Sequence, residues 1–233
     1  MLIYGHRGAS VDEPENTLCS FRRALALGAD GIEFDVQVTA DRIPVIIHDR
    51  DLARTTNATG PVDLVTLDVL RSVDAGKGEL VPTLEEALEL IGDRAHLDIE
   101  IKQGGIEREM LAVLGQFPQS RWAISSFDWT VLEAVRALSS DAEIWVLAVY
   151  VSDAMFHAAR HVNASGVSLY ASSLTEESTK RLQNADLDVI VWTVNDPAGA
   201  LRAANLGAKG LCTDDPALIL AGTCAPPADP ANA

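Results

Sequence analysis

Two rhythms of apolar and polar positions take turns along the whole chain. Short runs rich in β-branched residues read as strands at 2–5, 31–38, 44–48, 96–102, 122–125, 144–149, 166–169, 189–194 and 209–212. Between most of them, apolar residues recur at helical spacing. The stretch 17–27 carries Leu18, Phe21 and Leu25 and stops at Gly28, a natural C-terminal cap. The stretch 83–90 follows Pro82 and opens with Thr83 and Glu86 at the spacing of a capping box. Further helices are predicted at 128–138, 153–161, 175–183, 197–205 and 216–220, several opening with Asp, Thr or Pro. Regular alternation of this kind predicts a parallel sheet covered by helices.

Nine strands exceed an eight-stranded barrel by one. Parallel neighbours need a crossover of about a dozen residues or more, and there is no room for one between Val36 and Pro44. Residues 31–48 therefore read as a hairpin turning at Thr39-Ala40-Asp41-Arg42, its first arm in the barrel wall and its second on the rim. The other eight strands predict a (β/α)8 TIM barrel, with a doubly wound open sheet as the alternative. Residues 49–81 show little periodicity and read as a short insert. The barrel is expected to fill 1–221 as one domain, and the Ala/Pro-rich stretch 222–233 to be a disordered tail.

Composition narrows the function. With 233 residues, 48% of them hydrophobic, there is material for a full core. Eighteen basic against 34 acidic residues give a net charge of −16, which disfavours nucleic acid and anionic membrane surfaces as partners. Cys19, Cys212 and Cys224 are too few and too scattered for a disulfide framework and read as reduced thiols. The opening MLIYGHRG enters a strand directly, without the pattern of a secretory leader, so a cytoplasmic location is expected.

The polar residues inside apolar strands carry the chemistry. Glu33 and Asp35 lie two apart, on one face of a strand whose other face is Ile32, Phe34 and Val36. Glu100 and Lys102 repeat the arrangement on a later strand. In a barrel clad with helices, that face points inward. Three carboxylates there would be costly unless a hard divalent cation, Mg2+ or Ca2+, gathered them. His6 and His48 each end a strand. A two-residue turn would pair Asp35 with His48, and a turn one residue earlier would pair Glu33 with His48; either brings the second histidine to the carboxylates. Two histidines beside a metal and a cation, Arg7 or Lys102, are the parts needed for acid–base cleavage of a phosphodiester.

An ordered set of motifs resembles the glycerophosphodiester phosphodiesterases. It comprises His6-Arg7-Gly8-Ala9-Ser10, Pro14-Glu15-Asn16-Thr17, Gly31-Ile32-Glu33-Phe34-Asp35, His48-Asp49, Arg54-Thr55-Thr56, Pro82-Thr83-Leu84-Glu85-Glu86, Glu100-Ile101-Lys102, Ser126-Phe127, Trp192-Thr193-Val194-Asn195-Asp196 and Thr213-Asp214. The resemblance implies a phospholipase-C-like phosphodiesterase barrel. On it, His6 and His48 are the catalytic pair, and Glu33, Asp35 and Glu100 hold one divalent cation, Mg2+ or Ca2+, with Mn2+ an option. Arg7 and Lys102 contact the phosphate, and Phe127 and Trp192 line the glycerol or alcohol side of the pocket. Arg42 departs from the glycine usual in such turns, and Gly210-Leu211-Cys212 from the usual aliphatic run before Thr213.

The expected reaction is hydrolysis of a small glycerophosphodiester to sn-glycerol 3-phosphate and an alcohol, with His6 as base and His48 as acid. Lysophospholipase D-type or phosphoinositide-type cleavage is the alternative within enzymes. A non-catalytic phosphoester-binding barrel is the alternative outside them. No stable membrane association is expected.

Overall fold

The computed structural model describes residues 1–223. All nine expected strands form: β1 Leu2–His6, β2 Gly31–Val38, β3 Pro44–Ile46, β4 His96–Ile101, β5 Arg121–Ser126, β6 Ile144–Ala148, β7 Gly166–Tyr170, β8 Asp188–Trp192 and β9 Gly210–Thr213. Eight of them run parallel in the order β1-β9-β8-β7-β6-β5-β4-β2, and a β1–β2 pairing closes the barrel. β3 lies outside, antiparallel to β2.

The hairpin register differs from both expected pairings. Val36 faces Ile46, and the Ile47 amide donates to the Asp35 carbonyl, so Phe34 is the residue across from His48. The turn is longer by one residue than a two-residue loop, since the Thr39 amide donates to the Ile43 carbonyl. Arg42 closes it in the left-handed region at φ 66°, the conformation for which glycine is the ordinary choice. His48 reaches the barrel mouth because β3 stops at Ile46 and the chain bends inward, not through direct pairing with a carboxylate.

Helices α1 (Leu18–Leu27), α3 (Leu84–Ile91), α5 (Trp129–Leu138), α6 (Asp153–His161), α7 (Glu176–Asn184), α8 (Pro197–Asn205) and α9 (Pro216–Thr223) match the expected ones. The last runs two residues past the predicted end of the domain at 221; positions 224–233 of the expected tail, and Cys224, lie outside the described residues. Cys19 and Cys212 are free thiols. Helix α4 (Glu107–Leu114) was not expected. Its N-terminal neighbour Ile106 caps nothing, so the start signal that marks the other helices is missing. Thr17 and Thr83 do cap α1 and α3 through reciprocal capping boxes, each contributing about 1 kcal/mol.

The outer apolar faces of the strands meet the helices in one continuous layer. Ile32, Phe34 and Val36 of β2 and Leu97, Ile99 and Ile101 of β4 pack there with Phe21, Leu84, Leu88 and Ile91. Full burial of side chains this size stabilises by roughly 1.5–3 kcal/mol each. The insert is a packed unit. It contains the short helix α2 (Leu67–Leu70), and its Leu52, Val62, Leu70 and Val73 form a second apolar cluster with Val45 and Ile47.

The barrel interior has two layers. Tyr4, Ala123, Trp145, Ile190 and Cys212 plug the end where the strands begin, and His96 stacks on Trp145 with ring centroids 5.4 Å apart. Toward the other end the filling turns acidic. Glu33, Asp35, Asp98 and Glu100 are all buried there. Among the described residues, no helix is long and apolar enough to cross a membrane.

Candidate active site

Strand register delivers the acidic layer. In the parallel β2–β4 pair Glu33 stands opposite Asp98 and Asp35 opposite Glu100, while β1 sets His6 opposite Glu33. The period of two then turns all four carboxylates into the lumen near the strands' C-terminal ends. Glu33, Asp35 and Glu100 each bring a carboxylate oxygen within 4.8 Å of the others. Burial and the Asp35 charge push Glu33 up to about 8 and Glu100 likewise to about 8. Asp35 is also buried, but Lys102 and Arg7 outweigh that and hold it below the ordinary carboxylate range. Three crowded, buried, hard oxygen donors fit a divalent cation of the Mg2+ or Ca2+ kind.

Asp98 makes the cluster a group of four. It accepts from Ser125 Oγ at 2.7 Å, and burial pushes it up to about 7. Strand period alone places it on the inward face, two residues from Glu100. The sequence reading gave it no role.

His6 and His48 line the same small cavity, of about 80 Å3, together with Glu33, Glu100, Arg7, Lys102, Phe127 and Trp192. Each ring is oriented by a carboxylate. His6 Nδ1 lies 2.6 Å from Asp214 Oδ1, and its Nε2 lies 3.8 Å from Glu33. His48 Nδ1 lies 2.6 Å from Asp49 Oδ1. Asp214 is itself gripped by Asn195 Nδ2 at 2.6 Å, and Asp49 by Arg54. These partners sat inside quoted motifs without an assigned task. The signal that finds Asp214 is topological: β9 is the strand that flanks β1, so the residue after β9 emerges beside His6.

The two rings are poised differently. Burial lowers His6, but Glu33 and Asp214 outweigh it and the net shift is upward. His48 is lowered, first by burial, with Lys102 and Arg7 adding to it against Asp35 and Asp49.

Arg7 sits in the left-handed region at φ 58°, followed by Gly8 at φ 85°, where a Cβ would collide with Ser20. That sharp turn at the end of β1 lets the Arg7 amide donate to Glu33 Oε2 at 3.0 Å while its guanidinium reaches Asp35 at 3.3 Å and Glu15 at 2.7 Å. Lys102, expected at the phosphate, has its Nζ 2.7 Å from Glu100 and 3.4 Å from Asp35, on the same cavity wall.

Phe127 and Trp192 meet edge to face at 5.6 Å. With Tyr170, tilted against Trp192 at 5.2 Å, and exposed Tyr150, they form an aromatic arc at the ends of β5 to β8. The charged groups occupy the other half of the mouth.

Comparison with known proteins agrees with this arrangement. The family model described as the glycerophosphoryl diester phosphodiesterase family matches residues 6–218. A glycerophosphodiester phosphodiesterase of Caldanaerobacter subterraneus subsp. tengcongensis is 35% identical over 94% of this chain and 96% of its own. Among solved structures, an Oleispira antarctica phosphodiesterase in complex with the product sn-glycerol-3-phosphate superposes with a TM-score of 0.91, at 31% identity and 97% coverage of both chains. A glycerophosphodiester phosphodiesterase of Agrobacterium tumefaciens gives 0.86 at 27% identity, over 95% of this chain and 99% of that one. A closed (β/α)8 barrel with a strand outside it, carrying this motif series almost from end to end, identifies the chain as a member of the glycerophosphoryl diester phosphodiesterase family.

Proposed function

We propose that the chain is a divalent-cation-dependent hydrolase that cleaves glycerophosphodiesters to sn-glycerol 3-phosphate and an alcohol. The observation that carries this reading is the pair of carboxylate-oriented histidines in one cavity with Glu33 and Glu100, whose carboxylates cluster with that of Asp35. It is supported by the relative of known structure that binds sn-glycerol-3-phosphate. Bound to the three carboxylates, the cation supplies Lewis-acid polarisation of phosphoryl oxygen and lowers the pKa of a nearby hydroxyl or water.

The chain's own residues divide the remaining work. Asp214 and Asp49 fix the Nδ1 side of His6 and His48, which leaves each Nε2 for proton transfer. His6 takes the proton of the attacking hydroxyl, either the substrate's glycerol 2-hydroxyl or water. His48 gives a proton to the departing alkoxide. His48 suits that task by position, since it stands between the central cavity and a wider cleft on the rim. The upward shift of His6 owes much to Glu33; a cation held by the triad would offset that carboxylate's pull and leave the ring free to act as a base. Arg7 and Lys102 offset charge that develops on the phosphoryl oxygens. Phe127 and Trp192 flank the glycerol half of the substrate. Free Cys19 and Cys212 fit a reducing, cytoplasmic setting.

Phosphorus NMR with glycerophosphocholine, with and without chelator, tests the reading. Formation of glycerol 3-phosphate that stops on chelation and resumes with Mg2+, Ca2+ or Mn2+ is expected. Choline phosphate as the product, or turnover indifferent to chelator, would overturn it.

A further inference from the structure

His48 and Lys102 face two spaces. Besides the central cavity they line the rim cleft, of about 630 Å3, whose other walls are Gln37, Asp49, Arg50, Asp63, Gln103 and Gly104. The cleft is of ligand size, and nothing in its lining is aliphatic, Phe, Tyr or Trp. The aromatic side chains of the mouth all stand on the opposite arc, at the ends of β5 to β8.

The charges of the cleft are already matched to one another. Asp49 holds His48 Nδ1 and Arg54, and Asp63 accepts from Arg50 at 2.8 Å. Among the described residues, Asp63 Oδ1 is buried without a hydrogen-bond partner of its own, on a carboxylate whose other oxygen Arg50 holds; the other groups left over are neutral. Gln37 Nε2 donates to the carbonyls of Ile47 and His48, at 3.2 and 2.9 Å, while its Oε1 accepts nothing among the described residues. The Gln103 amide, likewise, makes no hydrogen bond among them.

We infer that this cleft receives the leaving alcohol, and that the alcohol is a neutral polyol in the size range from glycerol to a cyclitol. The inference rests on the reading of the chain as a glycerophosphodiester hydrolase. Hydroxyl groups donate and accept, which matches an open Gln37 Oε1 and a Gln103 amide with both its ends free. A quaternary ammonium is best held by aromatic faces, and this lining has no Phe, Tyr or Trp to offer one. A primary ammonium finds no carboxylate without a cation. An acyl chain would strip water from groups it cannot replace.

The test is a kcat/KM panel on the full chain with saturating Mg2+, using glycerophosphoglycerol, glycerophosphoinositol, glycerophosphoethanolamine, glycerophosphocholine and a lysophosphatidylcholine. The two polyol diesters should exceed the choline diester by at least tenfold, and Gln103→Leu should draw that ratio toward one. Each ratio is internal to one preparation, so partial misfolding of the variant does not move it. Choline or lysolipid diesters cleaved as well as the polyols, or a ratio that Gln103→Leu leaves untouched, would overturn the polyol assignment alone. Failure to cleave any member of the panel would sink the hydrolase reading along with it.

Discussion

His6 and His48 share an architecture but not an environment, and that difference makes their roles separable. His6→Ala and His48→Ala should each lower kcat by about 100-fold or more, the scale of general acid–base groups. Only His48→Ala should be rescued by a nitrophenyl leaving group, which needs no proton. Rescue of His6→Ala instead would exchange the two roles. Lys102 makes a second case. Its ammonium, 2.7 Å from Glu100 and 3.4 Å from Asp35, occupies the field that a cation would use. Lys102→Met should therefore tighten cation binding in titration calorimetry while kcat/KM falls, because the phosphoryl group loses its partner. Weaker cation binding with normal kcat/KM at saturating cation would reduce Lys102 to a neutraliser of its neighbours.

Among the elements, the turn between β2 and β3 stores the clearest local strain. Arg42 holds φ 66° and is anchored outside the turn by Glu109 and the Gly105 carbonyl. Arg42→Val, which puts a β-branched residue into a left-handed position, should cost about 1–3 kcal/mol in urea unfolding. Arg42→Gly should cost far less, since relief of the backbone offsets loss of an exposed ion pair; equal losses would refute the strain. This turn also marks what the sequence could not convey. Strand identity was legible at all nine positions because burial on both faces or one leaves its mark in side-chain period. Register was not, because one residue more or less in a turn leaves that period intact and changes every cross-strand partner. Helix α4 escaped because its start lacks a capping side chain. At the site, the clustered carboxylates were legible as polar breaks in apolar strands. Asp49 and Asp214 were not, since a polar residue in a loop is unremarkable until folding sets it against a ring.

For the whole molecule, the acidic lumen sets the response to pH. Glu33 and Glu100 stand at about 8 and Asp98 at about 7 in the folded chain, all above their ordinary values. A raised folded-state pKa adds stability that is complete below the unfolded value and fades as pH climbs through the folded one. The metal-free protein should thus lose urea resistance steadily from about pH 5 to pH 8.5, and Mg2+ or Ca2+ should restore it at the upper end. Glu33→Gln, which removes one crowded charge, should flatten the loss; a metal-free protein that gains stability across this window would contradict the crowding. The seam where the barrel closes has a different consequence. β1 and β9 are adjacent in space yet lie at opposite ends of the described chain, and the His6–Asp214 contact spans them. A growing chain on the ribosome therefore carries a His6 without its Asp214 partner until 208 further residues have been added. Catalysis of this kind switches on only after the segment carrying Asp214 has been made and docked beside β1, so the enzyme's own turnover is a clock for the closing of its barrel.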